Sequence, residues 1–221
     1  MKGLLIKDFK LMKNNMKNSL ILIVLIAIGI SAYTSDLTFV ITYLTIIGTT
    51  FTTSTLSYDE FDNGYTFLLS LPVTRRGYII EKYLFGLCMI GVGWLIGTIV
   101  EIVAGMTKHG MMPTEMILTA LTLLPVGFLI LAILIPFHLK FGSDKGRIVM
   151  IGAMGLLFLL ITVGATIIKS TDINLDAIGN SIGNHLVLGV GATVAAFYGI
   201  GFVLMLLSCR ISIGIMERKE F

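Results

Sequence analysis

The sequence predicts an all-α, polytopic membrane protein with six transmembrane helices, an N-terminal interfacial helix, and a cytoplasmic coupling helix between spans two and three. Of its 221 residues, 56% are hydrophobic and only 13% are charged, whereas about a quarter of the residues in a soluble domain are charged. Mean hydropathy is +0.95. Six apolar segments approach the roughly 20 residues that a spanning helix requires. We therefore expect 1–221 to form a single transmembrane domain.

The first 18 residues carry the pattern of an interfacial helix. Apolar side chains recur at spacings of four, three and four, and lysines occupy the opposite side: Leu5, Phe9, Met12 and Met16 against Lys7, Lys10, Lys13 and Lys17. Such a helix lies in the membrane plane, with its apolar face at the acyl boundary and its lysines among the headgroups. A charged flank of the first span is the simpler interpretation.

The spans are predicted at about 19–33, 37–56, 83–104, 116–137, 148–168 and 186–209, with a cytoplasmic loop over 57–82. Fourteen of the sixteen Lys and Arg residues lie at the two termini or in the second and fourth loops, and only Lys108 and Lys169 lie on the other side. Basic residues favour cytoplasmic loops. Both termini and those two loops are therefore expected to face the cytoplasm.

Polar and small residues mark the second and third spans. The second is rich in threonine, including Thr45, Thr49 and Thr52. Threonine hydroxyls bond to helix carbonyls or to a neighbouring helix, so we expect this span to face protein; a polar pathway lining is the alternative. In the third span, Gly93 and Gly97 have the GxxxG spacing that lets two helices approach closely.

Glu101 and Pro125 are two further positions of interest within the spans. The carboxyl of Glu101 needs a partner or water. It is either a polar group at a pathway exit, a lock between helices, or a residue that snorkels or forms an ion pair. Pro125 lies inside the fourth span, where proline removes a helix hydrogen bond. It is either a hinge or a static packing feature.

The loop over 57–82 is the longest polar interruption of the chain. Phe61, Tyr65 and Leu68 fall on one helical face. Three acids precede or flank this face and are expected to form an acidic rim around it: Asp59, Glu60 and Asp62. At the start of such a helix they would also complement its dipole. Pro72 stops the helix, and Thr74 is a suitable N-cap for the next one. This is either a re-entry helix of the membrane or a coupling helix that transmits motion from a soluble partner.

The sequence lacks the motifs of an enzyme. It has no GxxxxGK[ST] phosphate loop, HExxH or GxSxG. The three histidines lie in different loops, and the two cysteines lack metal or disulfide spacing. The basic residues flank apolar runs rather than form a nucleic-acid patch. Glu101 is the only carboxylate expected well within a span, which disfavours a gradient-driven carrier. We predict no catalytic, cofactor or metal site, and an energy source outside the chain.

The whole chain resembles the ABC-2 type permeases, the membrane subunits of ATP-binding-cassette transporters. The motifs that carry this resemblance are Lys7-Asp8-Phe9-Lys10, Asp59-Glu60-Phe61-Asp62-Asn63-Gly64, Leu71-Pro72-Val73-Thr74-Arg75, Lys82-Tyr83, Lys140-Phe141-Gly142 and Lys145-Gly146-Arg147. The resemblance implies a half-transporter of the bacterial cell membrane. It implies a homodimer with a second permease copy and two separate ATPase subunits, which hold the ATP and Mg²⁺.

In that family the loop after span two docks on the ATPase, which here implies docking by Asp59, Glu60, Phe61, Asp62, Tyr65 and Leu68. The second and fifth spans are implied as interface or pathway, which makes Thr45, Thr49 and Thr52 candidates for that role. From their residue types and positions, Gly93, Gly97 and Glu101 are further candidates for it, and Pro125 is a candidate hinge. The chain looks most like exporters of amphipathic, membrane-active peptides such as phenol-soluble modulins or lantibiotics. A non-transport scaffold or sensor that recruits a cytoplasmic partner is the alternative function.

Overall fold

The computed structural model describes residues 2–15, 17–33, 38–61, 64–70, 72–108, 116–117, 119–142 and 190–219. These ranges contain no strand, which confirms the all-α prediction. Their helices are α1 Lys2–Asn15, α2 Lys17–Tyr33, α3 Thr38–Glu60, α4 Gly64–Ser70, α5 Arg75–Lys108, α6 Thr119–Gly142 and α7 Val190–Arg218.

Four of these helices, α3, α5, α6 and α7, are long and apolar enough to cross a membrane. The pair α1 and α2, bent by 68°, supplies a fifth crossing if it is counted as one broken span. The predicted spans one to four and six each coincide with a helix. The predicted span over 148–168 lies outside the described residues, so the count of six stays a prediction.

Helix α5 is the longest element in the described part of the chain. Its 34 residues correspond to about 51 Å of helix, whereas the hydrocarbon core of a bilayer is about 30 Å thick. The predicted span over 83–104 occupies the middle of α5, so the first turns from Arg75 project beyond the core. The other helices α1, α2, α3 and α7 all pack against α5.

Glycines bring α3 and α5 into close contact. A Cβ atom added at Gly93 would lie 2.5 Å from the carbonyl oxygen of Leu44, and one at Gly97 would lie 2.9 Å from the Cα of Ile41. Gly48 on α3 meets the carbonyl of Met89 in the same way, at 2.6 Å. The close approach predicted from the GxxxG spacing is therefore confirmed, and it occurs between two helices of one chain.

The threonines of α3 lie in the interior. Thr45, Thr49 and Thr52 are all buried. Thr45 donates to the carbonyl of Ile41 at 2.7 Å, and Thr49 donates to that of Ile46 at 2.6 Å. The prediction that this span faces protein is confirmed, while a role in a pathway stays a prediction.

Pro125 lies within α6 without ending the helix. Because proline has no N–H, the carbonyl four residues earlier, that of Leu121, loses its helical donor. The hydroxyl of Tyr198 on α7 donates to this carbonyl at 3.0 Å. Neighbouring helices repair proline breaks in membranes in this manner. The contact favours static packing of Pro125, and its role as a hinge stays a prediction.

A second polar contact joins α5 to α7. The Tyr83 hydroxyl lies 2.7 Å from Ser208 Oγ and 2.9 Å from Ser212 Oγ, and Ser208 donates to the carbonyl of Ala132 on α6. All three hydroxyl side chains are buried. This network joins α5, α6 and α7.

The α3–α5 contact can be tested with two alanine substitutions one turn or less apart. Gly93→Ala places a methyl group against the α3 backbone, so we expect a loss of about 1–3 kcal/mol in stability. Gly91→Ala is the control, because a Cβ there has no atom within 4 Å and alanine favours helix. The melting temperatures of the two purified variants are measured in detergent. Equal melting temperatures would contradict the close packing.

Candidate functional site

Four charged side chains form a buried ion cluster where α1, α3 and α5 meet: Lys7 and Asp8 of α1, Asp59 of α3, and Lys82 of α5. Lys82 Nζ lies 2.8 Å from Asp59 Oδ2 and also hydrogen-bonds to Asp8. Lys7 binds Asp59 and lies 3.2 Å from Asp8. Asp8 and Lys82 have no accessible surface. Two cations and two carboxylates thus neutralise each other in the interior.

The ion cluster corrects two sequence-based interpretations. Lys7 was expected among lipid headgroups, and Asp59 in an exposed acidic rim. Instead, each lies against the other, and only 7% of Asp59 is exposed. Asp8 and Lys82 were noted only as parts of motifs, because no periodicity relates residues 74 positions apart.

Tyr78 connects the ion cluster to the short helix α4. Its hydroxyl donates to Asp59 Oδ2 at 3.0 Å, and the Lys82 ammonium lies 5.3 Å from its ring centroid. On its other side, the ring meets that of Tyr65 edge to face, with centroids 5.9 Å apart. Burial raises the pKa of the Tyr65 phenol well above its usual range, so Tyr65 remains neutral at physiological pH.

The prediction that Asp59 and Glu60 begin the short helix is wrong. Both residues end α3, and α4 begins at Gly64. A Cβ at Gly64 would lie 2.6 Å from the Asp59 carbonyl, so a glycine is required where the chain turns. Thr74 is confirmed as the N-cap of α5, because its Oγ accepts from the Gly77 N–H at 3.1 Å.

The predicted docking residues of this region divide into buried and exposed groups. Tyr65 and Leu68 are buried at 4% and 6% exposure, so they hold α4 against the body of the protein. Phe61 is 73% exposed, and Phe67, which the sequence reading passed over, is 72% exposed. Asp62 lies outside the described residues. Docking by this set stays a prediction.

A cleft of about 570 Å³ lies beside α4. Its walls include Leu4 of α1, Tyr58 at the end of α3, and Phe67 and Pro72 around α4. Lys7 and Asp59 of the ion cluster also line it. The cleft and the exposed aromatic side chains therefore form one continuous surface over the ion cluster.

Glu60 connects the end of α3 to α6 and α7. Its carboxylate oxygens lie 3.7 Å from His138 Nε2 and 3.7 Å from Lys219 Nζ. Lys219 also donates to the Leu139 carbonyl at 3.3 Å. Gly142 adopts a φ of 75° next to this carboxylate, and a Cβ there would lie 2.8 Å from Glu60 Oε1. Glu60 thus acts as a bridge within the chain, rather than solely as part of an acidic rim.

Arg75 joins the start of α5 to the end of α7. Its guanidinium donates to the carbonyls of Met216, Glu217 and Lys219 at 3.1, 2.8 and 3.0 Å. The last carbonyls of a helix lack intrahelical donors, so this cation satisfies them. Arg75 therefore fixes the start of α5 against the end of α7.

Residues 3–217 match a family model described as ABC-2 family transporter protein. The chain belongs to this family. Comparison with curated proteins gives no match. As an ABC-2 protein, the chain is the membrane component of an ABC transporter, a multi-pass permease that works with an ABC ATPase.

Two buried carboxyls lie on α5 of this permease. Glu101 is 4% exposed, as expected for a residue inside a span, and its role stays a prediction. Glu81 has no accessible surface, and neither of its oxygens has a hydrogen-bond partner among the described residues. Glu81 was not predicted to be buried, because the third span was expected to begin at residue 83 and Glu81 fell in the preceding loop.

Loss of Lys82 should destabilise this ABC-2 permease strongly. Lys82→Met leaves Asp8 and Asp59 with one remaining cation in a buried site, which costs about 3–5 kcal/mol. Adding Asp8→Asn should recover part of this loss. Thermal melting in detergent gives the measurement. Arg76→Gln is the control, because its ion pair with Glu217 is exposed, and it should leave the melting temperature unchanged. Equal effects of Lys82→Met and Arg76→Gln would contradict the cluster.

The neighbouring residue should respond in the opposite direction. Glu81→Met removes a buried carboxyl that lacks hydrogen-bond partners, and an unsatisfied buried polar group costs about 1–3 kcal/mol. We therefore expect the melting temperature to stay constant or to rise. A fall comparable to that of Lys82→Met would show that Glu81 has a stabilising partner.

Proposed function

We propose that this chain is the permease of an ATP-driven exporter, which moves an amphipathic or membrane-active substrate out of the cell or out of the inner leaflet. A peptide toxin or antimicrobial peptide is the substrate class that we favour. Two permease copies would form a homodimer with two ATPase subunits, which would hold ATP and Mg²⁺, while this chain binds no cofactor. Both termini and the α3–α5 connection would face the cytoplasm of a bacterial cell.

The observation that carries the coupling part of this proposal is the position of α4 directly over the ion cluster. A force on α4 passes through Tyr65 to Tyr78, and from Tyr78 to Asp59. Separating the buried charges would leave ions without partners at a cost of several kcal/mol. The ends of α1, α3 and α5 would therefore move together when α4 is displaced.

The exposed aromatic side chains give the ATPase a surface to contact. Phe61 and Phe67 present most of their surface, and Tyr58 is 47% exposed beside them. Aromatic side chains dominate the energetics of many protein interfaces. Tyr65 and Leu68 contribute from beneath by fixing the position of α4, and Asp59 and Glu60 do so by fixing the end of α3.

The interior of the permease would carry the pathway or the contact between two copies. Thr45, Thr49 and Thr52 form a polar row on α3, and Glu101 adds a carboxyl further along α5. Their burial supports a role inside the protein. Gly93 and Gly97 set the α3–α5 spacing on which this row depends.

Removal of both exposed phenylalanines tests the docking surface. Phe61→Ala with Phe67→Ala should lower substrate-stimulated ATP hydrolysis and transport at least about tenfold, because interface aromatic side chains contribute about 2 kcal/mol or more. The spans should remain folded, since both rings are exposed. ATP hydrolysis and peptide uptake are measured in liposomes containing the permease and its ATPase.

The matched control is Phe197→Ala with Phe202→Ala, two exposed phenylalanines of α7, which should retain coupling. Equal activity of the two double variants would contradict docking at α4. Recruitment of the ATPase without peptide-stimulated hydrolysis or transport would instead favour a scaffold or sensor.

A further inference from the structure

A second cleft, of about 680 Å³, lies between the ends of α6 and α7. Phe137 and Phe141 of α6 form one apolar wall, and Ile211 and Ile215 of α7 form the other. An exposed apolar strip continues from this wall along α7. Its residues are spaced by four, and their exposed fractions are 54% for Val203, 53% for Leu207 and 58% for Ile211. The cleft is therefore continuous with a surface suited to acyl chains.

The charged residues that line this cleft are all basic: Lys140, Arg218 and Lys219. Lys219 is engaged by the Leu139 carbonyl and by Glu60. Lys140 and Arg218 are exposed, and neither forms an ion pair with another described residue. Of the described carboxylates nearby, Glu60 lies beside His138 and Lys219, and Glu217 is paired with Arg76.

Cations near the end of a helix also interact favourably with its dipole, which could account for Lys140 and Arg218. Other cations already occupy the ends of these two helices. Arg75 donates to three carbonyls at the end of α7, and Lys219 donates to the Leu139 carbonyl near the end of α6. Lys140 and Arg218 thus retain positive charge that no described group of the chain neutralises.

We propose that this cleft binds an anionic phospholipid, with its phosphate between Lys140 and Arg218 and one acyl chain along Ile211 and Ile215. Basic pockets between helices at the membrane boundary bind anionic headgroups, and a guanidinium matches two phosphate oxygens. The proposal uses the membrane placement of α6 and α7 and does not depend on the direction or substrate of transport.

The test measures lipid binding to the delipidated full-length chain in detergent by native mass spectrometry. Dioleoyl phosphatidylglycerol should bind more tightly than dioleoyl phosphatidylcholine. Lys140→Gln with Arg218→Gln should weaken retention of phosphatidylglycerol about 25-fold, because each cation near a lipid surface contributes about fivefold. The control Lys10→Gln with Lys13→Gln removes the same charge from exposed positions on α1 that do not line this cleft, and it should weaken retention clearly less than the cleft pair does.

Two further variants separate the phosphate contact from the apolar seat. Lys140→Arg with Arg218→Lys keeps both charges and should bind as the unmodified chain does, with gel filtration confirming the same elution volume. Ile215→Trp narrows the apolar wall without altering charge and should reduce retention. Wild-type retention in Ile215→Trp, equal losses in the two glutamine pairs, or equal binding of the two lipids would each overturn the proposal.

Discussion

The buried ion cluster is the constraint on which the arrangement of the helix ends depends. Lys82 and Asp8 have no accessible surface and Asp59 is 7% exposed, whereas 34% of the Lys7 side chain is exposed. Charges persist in a protein interior only when each one is paired. Lys82 reaches both Asp8 and Asp59, so α1 must fold back against α3 and α5. The extension of α5 beyond the predicted span supplies Lys82 and Tyr78 for this contact.

The position of α4 follows from that arrangement. Tyr78 binds Asp59 with its hydroxyl and Tyr65 with its ring, so α4 lies on the residues that hold α3 and α5 together. The exposed Phe61 and Phe67 flank this attachment. A partner that binds these rings would therefore contact the permease next to the charges that join α1, α3 and α5.

Features that depend on neighbouring residues were predictable from the sequence. The helices and the close approach of a neighbouring helix at Gly93 and Gly97 follow from the spacing of residues, and the Thr74 cap follows from local hydrogen bonding. The ion cluster and the Tyr198–Leu121 contact were not, because their partners on different helices lie 23 to 77 positions apart and a single sequence does not pair them. The short helix was expected to start at Asp59, which places Phe61, Tyr65 and Leu68 on one face. It starts at Gly64 instead, and Phe61 is exposed while Tyr65 and Leu68 are buried.

Glu81 is a buried carboxyl beside the ion cluster that has no favourable partner of its own among the described residues. The ion cluster is neutral without it, so an ionised Glu81 would add one negative charge that no cation balances. Its oxygens also lack hydrogen-bond partners among the described residues. Each property disfavours burial. The packing around Glu81 must therefore be stabilised by the four cluster residues, by Tyr78, and by the contacts of Arg75 with α7. Together, these contacts outweigh the free-energy cost of burying Glu81.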